Sequence, residues 1–218
     1  MSHAFPYSRV HEDFFLKHGD PIRYEKGQHI VWHKDESPWV FFLTEGLVRV
    51  SFSFPDGTRR TLGYFVPGVT FAQAGSFISD TDIKIEYTAE KSLTLYRIPR
   101  DIFLLQLEHD PVFARDFLTL TLKNQMLLIE RIVYLGEKGM LRKCARWILF
   151  MNKYYGKNNG DVREIVVPIT QDTIAEFLHA TRESVSPIIH EFEEKGYIHI
   201  TKKCLSIKKA EEIAKLLT

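Results

Sequence analysis

The hydrophobic period of this chain changes at Pro99, and that change limits what it can fold into. Before it, β-branched and aromatic residues come in short runs such as HIVWH, WVFFLTEG, LVRVSFSF, RRTLGYFV, KIEYTAE and LTLYRI. The breaks between them, Glu25-Lys26-Gly27, Asp35-Glu36-Ser37-Pro38, Glu45-Gly46, Pro55-Asp56-Gly57 and Pro67-Gly68, supply turns or positive-φ positions cheaply. Closely spaced short strands of this kind point to a sandwich or barrel. After Pro99 the spacing becomes helical: Phe113, Phe117, Leu120, Asn124, Leu127, Arg131 and Tyr134 follow at steps of three or four, with Leu128, Ile132 and Leu135 widening the stripe. A helix from about Pro111 to Leu135 is roughly 37 Å long and needs something to pack against. Two readings stay open, a helix lying on its own domain's core and a dimer seam.

A length of 218 residues allows one domain of ordinary size plus a small second one, and argues against a multi-domain enzyme or a repeat array. Lys plus Arg is 29 and Asp plus Glu is 28, so no global field marks a polyanion as partner. A nucleic-acid surface must be local. From Gly139 to Thr218 there are 13 Lys or Arg against 10 Asp or Glu, clustered at Arg142, Lys143 and Arg146 and at Lys202, Lys203, Lys208 and Lys209. Two cysteines, Cys144 and Cys204, cannot form a disulfide framework or a four-cysteine metal site. With neither a leader-like N-terminus nor an apolar run of about 18 residues, the expected place is the cytoplasm, without a membrane.

The informative segment is VPITQDTIAEFLHATRESVSPIIHEFEEKGYIHITKKCLSI, from Val167 to Ile207. Thr170 suits an N-cap, and Ile174, Phe177 and Leu178 give QDTIAEFL one apolar face. His179-Ala180 makes the turn, and Thr181 caps a second helix whose stripe is Val185, Ile188, Ile189 and Phe192 and whose end is marked by Gly196. Two short helices joined by a tight turn form a helix-turn-helix. YIHITKKCLSI then reads as two strands around Lys202-Lys203, a wing. A second helix of this kind enters the major groove with its N-terminal residues against base edges. Arg182, Glu183, Ser184 and Ser186 stand there. Arg182 can bond both acceptors of a guanine, and Glu183 can accept from a cytosine amine. Thr170, Gln171 and Thr181, beside free helix N-terminal amides, suit phosphate oxygens, as do Lys202 and Lys203.

The order of parts resembles the CRP/FNR transcription regulators over nearly the whole chain. The family's helix-turn-helix pattern is matched at Ile169, Thr170, Ile174, Ala175, Arg182, Glu183, Val185, Ile188 or Ile189, Glu193, Gly196 and Ile198, and Gly27, Gly46, Gly57 and Gly68 fall where its β-roll turns. The resemblance implies a homodimer whose long helices pair, a ligand pocket between β-roll and helix, and two recognition helices on a near-palindromic duplex. The chain departs from the pattern at His179, where the family has its turn glycine, and at Pro187, where many members carry a second base-reading arginine. His accepts the left-handed region. A proline six residues into a helix is expected to bend it or delay its start.

In cyclic-nucleotide-binding members a glutamate after the Pro-Gly turn holds the ribose, and an arginine followed by Ser or Thr holds the phosphate. Val69 stands in place of the glutamate here, and Ile83 with Lys84 in place of the second pair. Valine accepts no hydroxyl bond and isoleucine donates none to phosphate, so a cyclic nucleotide is disfavoured. Leu127 and Leu128 give the pocket an apolar wall beside Gly68, with Tyr64, Gln73, Lys84 and Tyr87 as polar handles. That composition suits an organic anion. A filled pocket without effector is the bland alternative. His29 and His33 share a strand face, but without a third ligand they read as strand surface and no metal or other cofactor is expected.

The chain therefore reads as an α+β protein: an antiparallel, jelly-roll-like β-roll sensor over residues 1–110, a dimerisation helix over 111–138, and a winged helix-turn-helix over 139–218. The expected function is a non-enzymatic, homodimeric regulator that binds double-stranded DNA under a small-molecule effector, with an RNA polymerase contact open. Two alternatives stay in view, a helix-turn-helix that contacts protein and a cupin-like metalloenzyme.

Overall fold

The computed structural model describes residues 7–31, 37–54, 57, 59–72, 85–160, 162–201 and 204–217. The chain divides into two units, His3–Asn124 and Gln125–Thr218. In the first, α1 (Arg9–His18) is opened by Ser8, whose side chain accepts from the His11 N–H at 3.1 Å. There follow β1 (Asp20–Tyr24), β2 (His29–Val31), β3 (Trp39–Ser53), β4 (Arg59–Phe65), β5 (Thr70–Phe71), β6 (Ile85–Pro99), α2 (Arg100–His109) and the start of α3 (Pro111–Leu135). Among the described residues the strands form an antiparallel sheet in the order β1-β6-β3-β4, with β2 on β6 and β5 on β3.

The run WVFFL is apolar without alternation because both faces of β3 are covered. Val40 and Phe42 join Phe14, Phe15, Ile98, Phe103 and Phe113 in one core, while Phe41 and Leu43, pointing the other way, join Val48, Phe71, Ala89, Leu93 and Leu95 in another. Gly46 bends the strand at φ +93°, beside the register shifts that follow Leu43. A Cβ there would run into Leu93 and come 2.6 Å from the Ser92 carbonyl oxygen, so glycine is required. His11 is fully buried, stacked 4.3 Å from Phe113 and 3.3 Å from Thr70 Oγ1. Burial pushes its pKa down to about 4, against a smaller opposing pull from Asp116, so it sits neutral in this aromatic cluster.

Helix α3 carries apolar residues on two opposite faces. Phe113 and Leu120 are buried and Phe117 packs against the first core, so the stripe read from the sequence as a possible seam turns inward. Leu127, on the same face, is half-buried. The opposite face exposes Leu118, Leu122, Met126, Ile129 and Val133, again at steps of three or four, flanked by Leu128 and Ile132. The stripe read from the sequence, Phe113, Phe117, Leu120, Asn124, Leu127, Arg131 and Tyr134 widened by Leu128, Ile132 and Leu135, missed Leu118, Leu122, Met126, Ile129 and Val133, because apolar residues all round a helix have no single period to detect.

The second unit adds α4 (Met140–Tyr155), β7 (Gly156–Asn159), β8 (Val162–Ile165), α5 (Gln171–Leu178), α6 (Arg182–Glu194), β9 (Ile198–Thr201), β10 (Cys204–Ile207) and α7 (Ala210–Lys215). Its described strands pair antiparallel in the order β7-β8-β10-β9. Cys144, Trp147, Ile148 and Met151 of α4 are fully buried with Leu178, Val185, Ile189 and Phe192. Burial raises the Cys144 thiol to about 12, which makes it an inert core residue. The whole is an α+β chain with an N-terminal antiparallel sheet and a C-terminal winged helix-turn-helix. Among the described residues no helix is long and apolar enough to cross a membrane.

Candidate nucleic-acid interface

The geometry of the helix pair is set by three residues. Thr170 Oγ1 accepts from the Thr173 N–H at 3.1 Å and opens α5; Thr181 Oγ1 accepts from the Ser184 N–H at 3.4 Å and opens α6. Between them His179 takes the left-handed conformation, φ +52° and ψ +45°, while its N–H closes α5. A Cβ in this region costs roughly 1–2 kcal/mol, which a β-branched residue cannot relieve. His179 already carries that cost, so replacing it by Gly is expected to raise stability by about 1 kcal/mol, whereas Val, β-branched and strained further in this region, should lower it below that of His179. Urea unfolding of the three proteins reads this directly.

Helix α6 starts at Arg182 and runs unbroken to Glu194 through Pro187, so the expected late start does not occur. Pro187 lies on the exposed face. The helical bond that it removes would have ended on the Glu183 carbonyl, in the first turn where solvent reaches the backbone. Arg182, Glu183 and Ser184 are exposed together at this end of α6. The Glu183 carboxyl is held below the usual range by its own backbone N–H and then by the Thr181 hydroxyl. Ser186 is half-buried and donates to Gln171 Oε1 at 2.9 Å. Arg182 Nη1 lies 3.6 Å from Asp172 Oδ1, with both side chains more than half exposed. Sequence reasoning passed over Asp172, for which the signal was only an acidic residue in a helix's first turn.

The wing is the hairpin of β9 and β10, paired Cys204↔Thr201 to Ile207↔Ile198. Glu193 ties it to the end of α6 by accepting from the Ile200 N–H at 2.9 Å. Lys202 and Lys203 lie outside the described residues. The other basic cluster has structural partners. Arg146 Nε donates to Glu137 at 2.5 Å, and Arg142 donates to Glu137 at 3.3 Å and to the Leu217 carbonyl at 2.7 Å. The Arg146 bond, with Arg142 behind it, holds the Glu137 carboxyl low.

Of the residues read as an effector site, Tyr64, Gly68, Val69 and Tyr87 belong to the first unit. Tyr64 and Val69 are buried. Gly68, at φ +100°, donates to the Leu43 carbonyl at 2.7 Å, and a Cβ on it would stand 2.7 Å from the Tyr7 ring. Tyr87 packs 5.0 Å from Phe71 and 6.0 Å from Phe65, and burial pushes its hydroxyl up to about 12 against a smaller effect of the Ala72 backbone. Leu127 and Leu128 belong to the second unit, and Leu128 is 57% exposed. Gln73, Ile83 and Lys84 lie outside the described residues, as does His33. Among the described residues no three His, Cys, Asp or Glu side chains gather as a metal site.

Residues 21–110 match the model of the cyclic nucleotide-binding domain, and residues 142–216 match that of the Crp-like helix-turn-helix domain. The chain belongs to the CRP/FNR family. A CRP/FNR relative, the nitrogen fixation regulation protein FixK of Azorhizobium caulinodans, is 24% identical over 185 residues, covering 84% of this chain and 72% of FixK. Two solved structures share the fold. FixK2 of Bradyrhizobium japonicum superposes with a TM-score of 0.76 at 17% identity, over 92% of this chain and 98% of that one. CprK complexed with OCPA gives a TM-score of 0.72 at 17% identity, over 96% and 97%. CRP/FNR proteins are transcription regulators with a DNA-binding helix-turn-helix and act as dimers.

Proposed function

We propose that this CRP/FNR chain is a homodimeric, cytoplasmic regulator that reads a near-palindromic duplex and answers to a small organic anion. The observation that carries the DNA-reading part is the capped pair α5 and α6, which presents Arg182, Glu183 and Ser184 together at an exposed helix start. Arg182 meets a guanine, Glu183 and Ser184 meet neighbouring base edges, and Thr170, Gln171, Thr181, Lys202 and Lys203 meet phosphates. Ser186 serves indirectly, by holding Gln171. Residues 1–110 form the sensor, 111–138 the dimer helix and 139–218 the DNA-binding domain, and the exposed stripe of α3 supplies the contact between copies. The test is selection of bound duplexes from random DNA, with and without a metabolite panel. A recovered two-fold sequence whose yield depends on a metabolite supports all parts of the proposal. Failure to enrich any sequence under every condition contradicts it.

The effector is an organic anion held by Tyr64, Lys84, Tyr87 and Gln73, and it is not a cyclic nucleotide. Buried Val69 offers a ribose no acceptor, and each polar ligand group left unpaired costs about 1–3 kcal/mol. Calorimetry with cyclic AMP and cyclic GMP should accordingly show no micromolar binding. A dissociation constant at or below that range for either nucleotide would return the site to the usual ligand of the domain.

A second reading is favoured by Pro187, which occupies an exposed position of α6 and can donate nothing to a base. In that reading the helix-turn-helix docks on another protein. Steep loss of duplex binding as salt rises would count against it.

A further inference from the structure

We propose that Asp172 is the positioning residue for Arg182 and sets how strongly each half-site discriminates its guanine. The proposal rests on the reading that Arg182 is the guanine-contacting side chain. The start of α5 is tied to α6 twice, at Asp172 with Arg182 in its first turn (3.6 Å) and at Gln171 with Ser186 in its second (2.9 Å). The left-handed turn at His179 brings these two helix starts side by side. Arg182 and Asp172 are 60% and 72% exposed, so the pair contributes little to stability and is accessible to a duplex. Its position at the DNA-facing end of both helices gives it a different use.

A guanidinium presents five N–H groups in a planar fork. Asp172 approaches from the Nη1 side, which leaves the Nε and Nη2 edge for the two acceptors of a guanine, O6 and N7. A long side chain held in one orientation loses less freedom on docking than a free one. The carboxylate also supplies the repulsive half of specificity. When Arg182 stays beside both guanine and Asp172, the negative charge is compensated. At a site without guanine, Arg182 turns to a phosphate and leaves Asp172 unpaired against the polyanion, which penalises that site. The other carboxylate in reach, Glu183, is engaged with its own N–H and Thr181 and does not take this part.

The variant D172N keeps the shape and removes the charge. Binding isotherms of the full-length protein are measured on a duplex selected from random DNA, on its single-base variants and on a random-sequence duplex of equal length. D172N is expected to bind the random duplex severalfold tighter, while its preference for guanine at the Arg182 position falls by about tenfold, within the range of one bidentate contact. In an R182A background D172N should leave base preference unchanged, and with Arg182 present D172E should keep part of the guanine preference that D172N loses. A purely structural role would weaken all duplexes alike. If R182A alters base preference and D172N does not, Asp172 does not position Arg182 and the inference is overturned alone. If R182A leaves base preference intact, the reading of Arg182 falls first and this inference with it.

Discussion

Ile129→Glu is expected to leave the protein monomeric at micromolar concentration and to weaken binding to a two-half-site duplex by roughly 10²–10⁴-fold, the range that linkage of two half-sites provides. Ile129 lies within the exposed stripe of α3, between Met126 and Val133. Paired with a second copy, this stripe would leave water, at about 25 cal/mol for each Å² of apolar area. In a two-fold contact every substitution occurs twice, so one glutamate per chain buries two unpaired carboxylates. Folding should be spared because Ile129 is on the face away from Phe113 and Leu120. Lys123→Glu, off the stripe on the same helix, is the matched control and should remain dimeric. Light scattering gives the mass, and isotherms give the affinity. A dimeric Ile129→Glu protein would show that α3 is not the seam.

Arg182→Ala is the second large effect. A good bidentate contact to guanine is worth about 1–3 kcal/mol, and a two-fold complex contains it twice, so binding should fall by about 2–6 kcal/mol, roughly 30- to 10⁴-fold. The loss should be confined to duplexes that carry the guanine. Lys202→Ala and Lys203→Ala should instead weaken every duplex together and lower the salt slope by about one for each phosphate contact removed. Isotherms at several salt concentrations, on the selected duplex and its single-base variants, separate the two patterns. An Arg182→Ala protein with unchanged affinity and base preference would mean that α6 docks in some other orientation.

Most strands were legible before Pro99 from glycine and proline punctuation, but Glu45-Gly46, read as a break, is a bend inside β3, and from Ile85 on the runs KIEYTAE and LTLYRI form the one strand β6. The helix-turn-helix was legible because Thr170, Thr181 and Gly196 are chemically committed to helix ends. What stayed hidden depended on which way a residue faces. Phe113 and Ile129 look alike in the sequence, and only packing shows that one is in the core and the other in water. Pro187 was expected to disturb α6, but a proline early in the helix and facing solvent removes a bond that water can replace. Asp172 and Arg182, and likewise Gln171 and Ser186, are separated in the sequence by the turn that joins them in space. The roles of Glu137 with Arg142 and Arg146 were also invisible, since a basic cluster reads the same whether it faces phosphate or a carboxylate.

One measurement tests the dimeric, DNA-reading regulator most directly: the mass and affinity of the complex between the full-length protein and a selected two-fold duplex, compared with a duplex containing one half-site. Two chains per duplex, with at least a hundredfold weaker binding to the single half-site and a steep loss of affinity with salt, is the predicted result. One chain per duplex, or equal affinity for the selected and a random duplex at the same salt concentration, would contradict it.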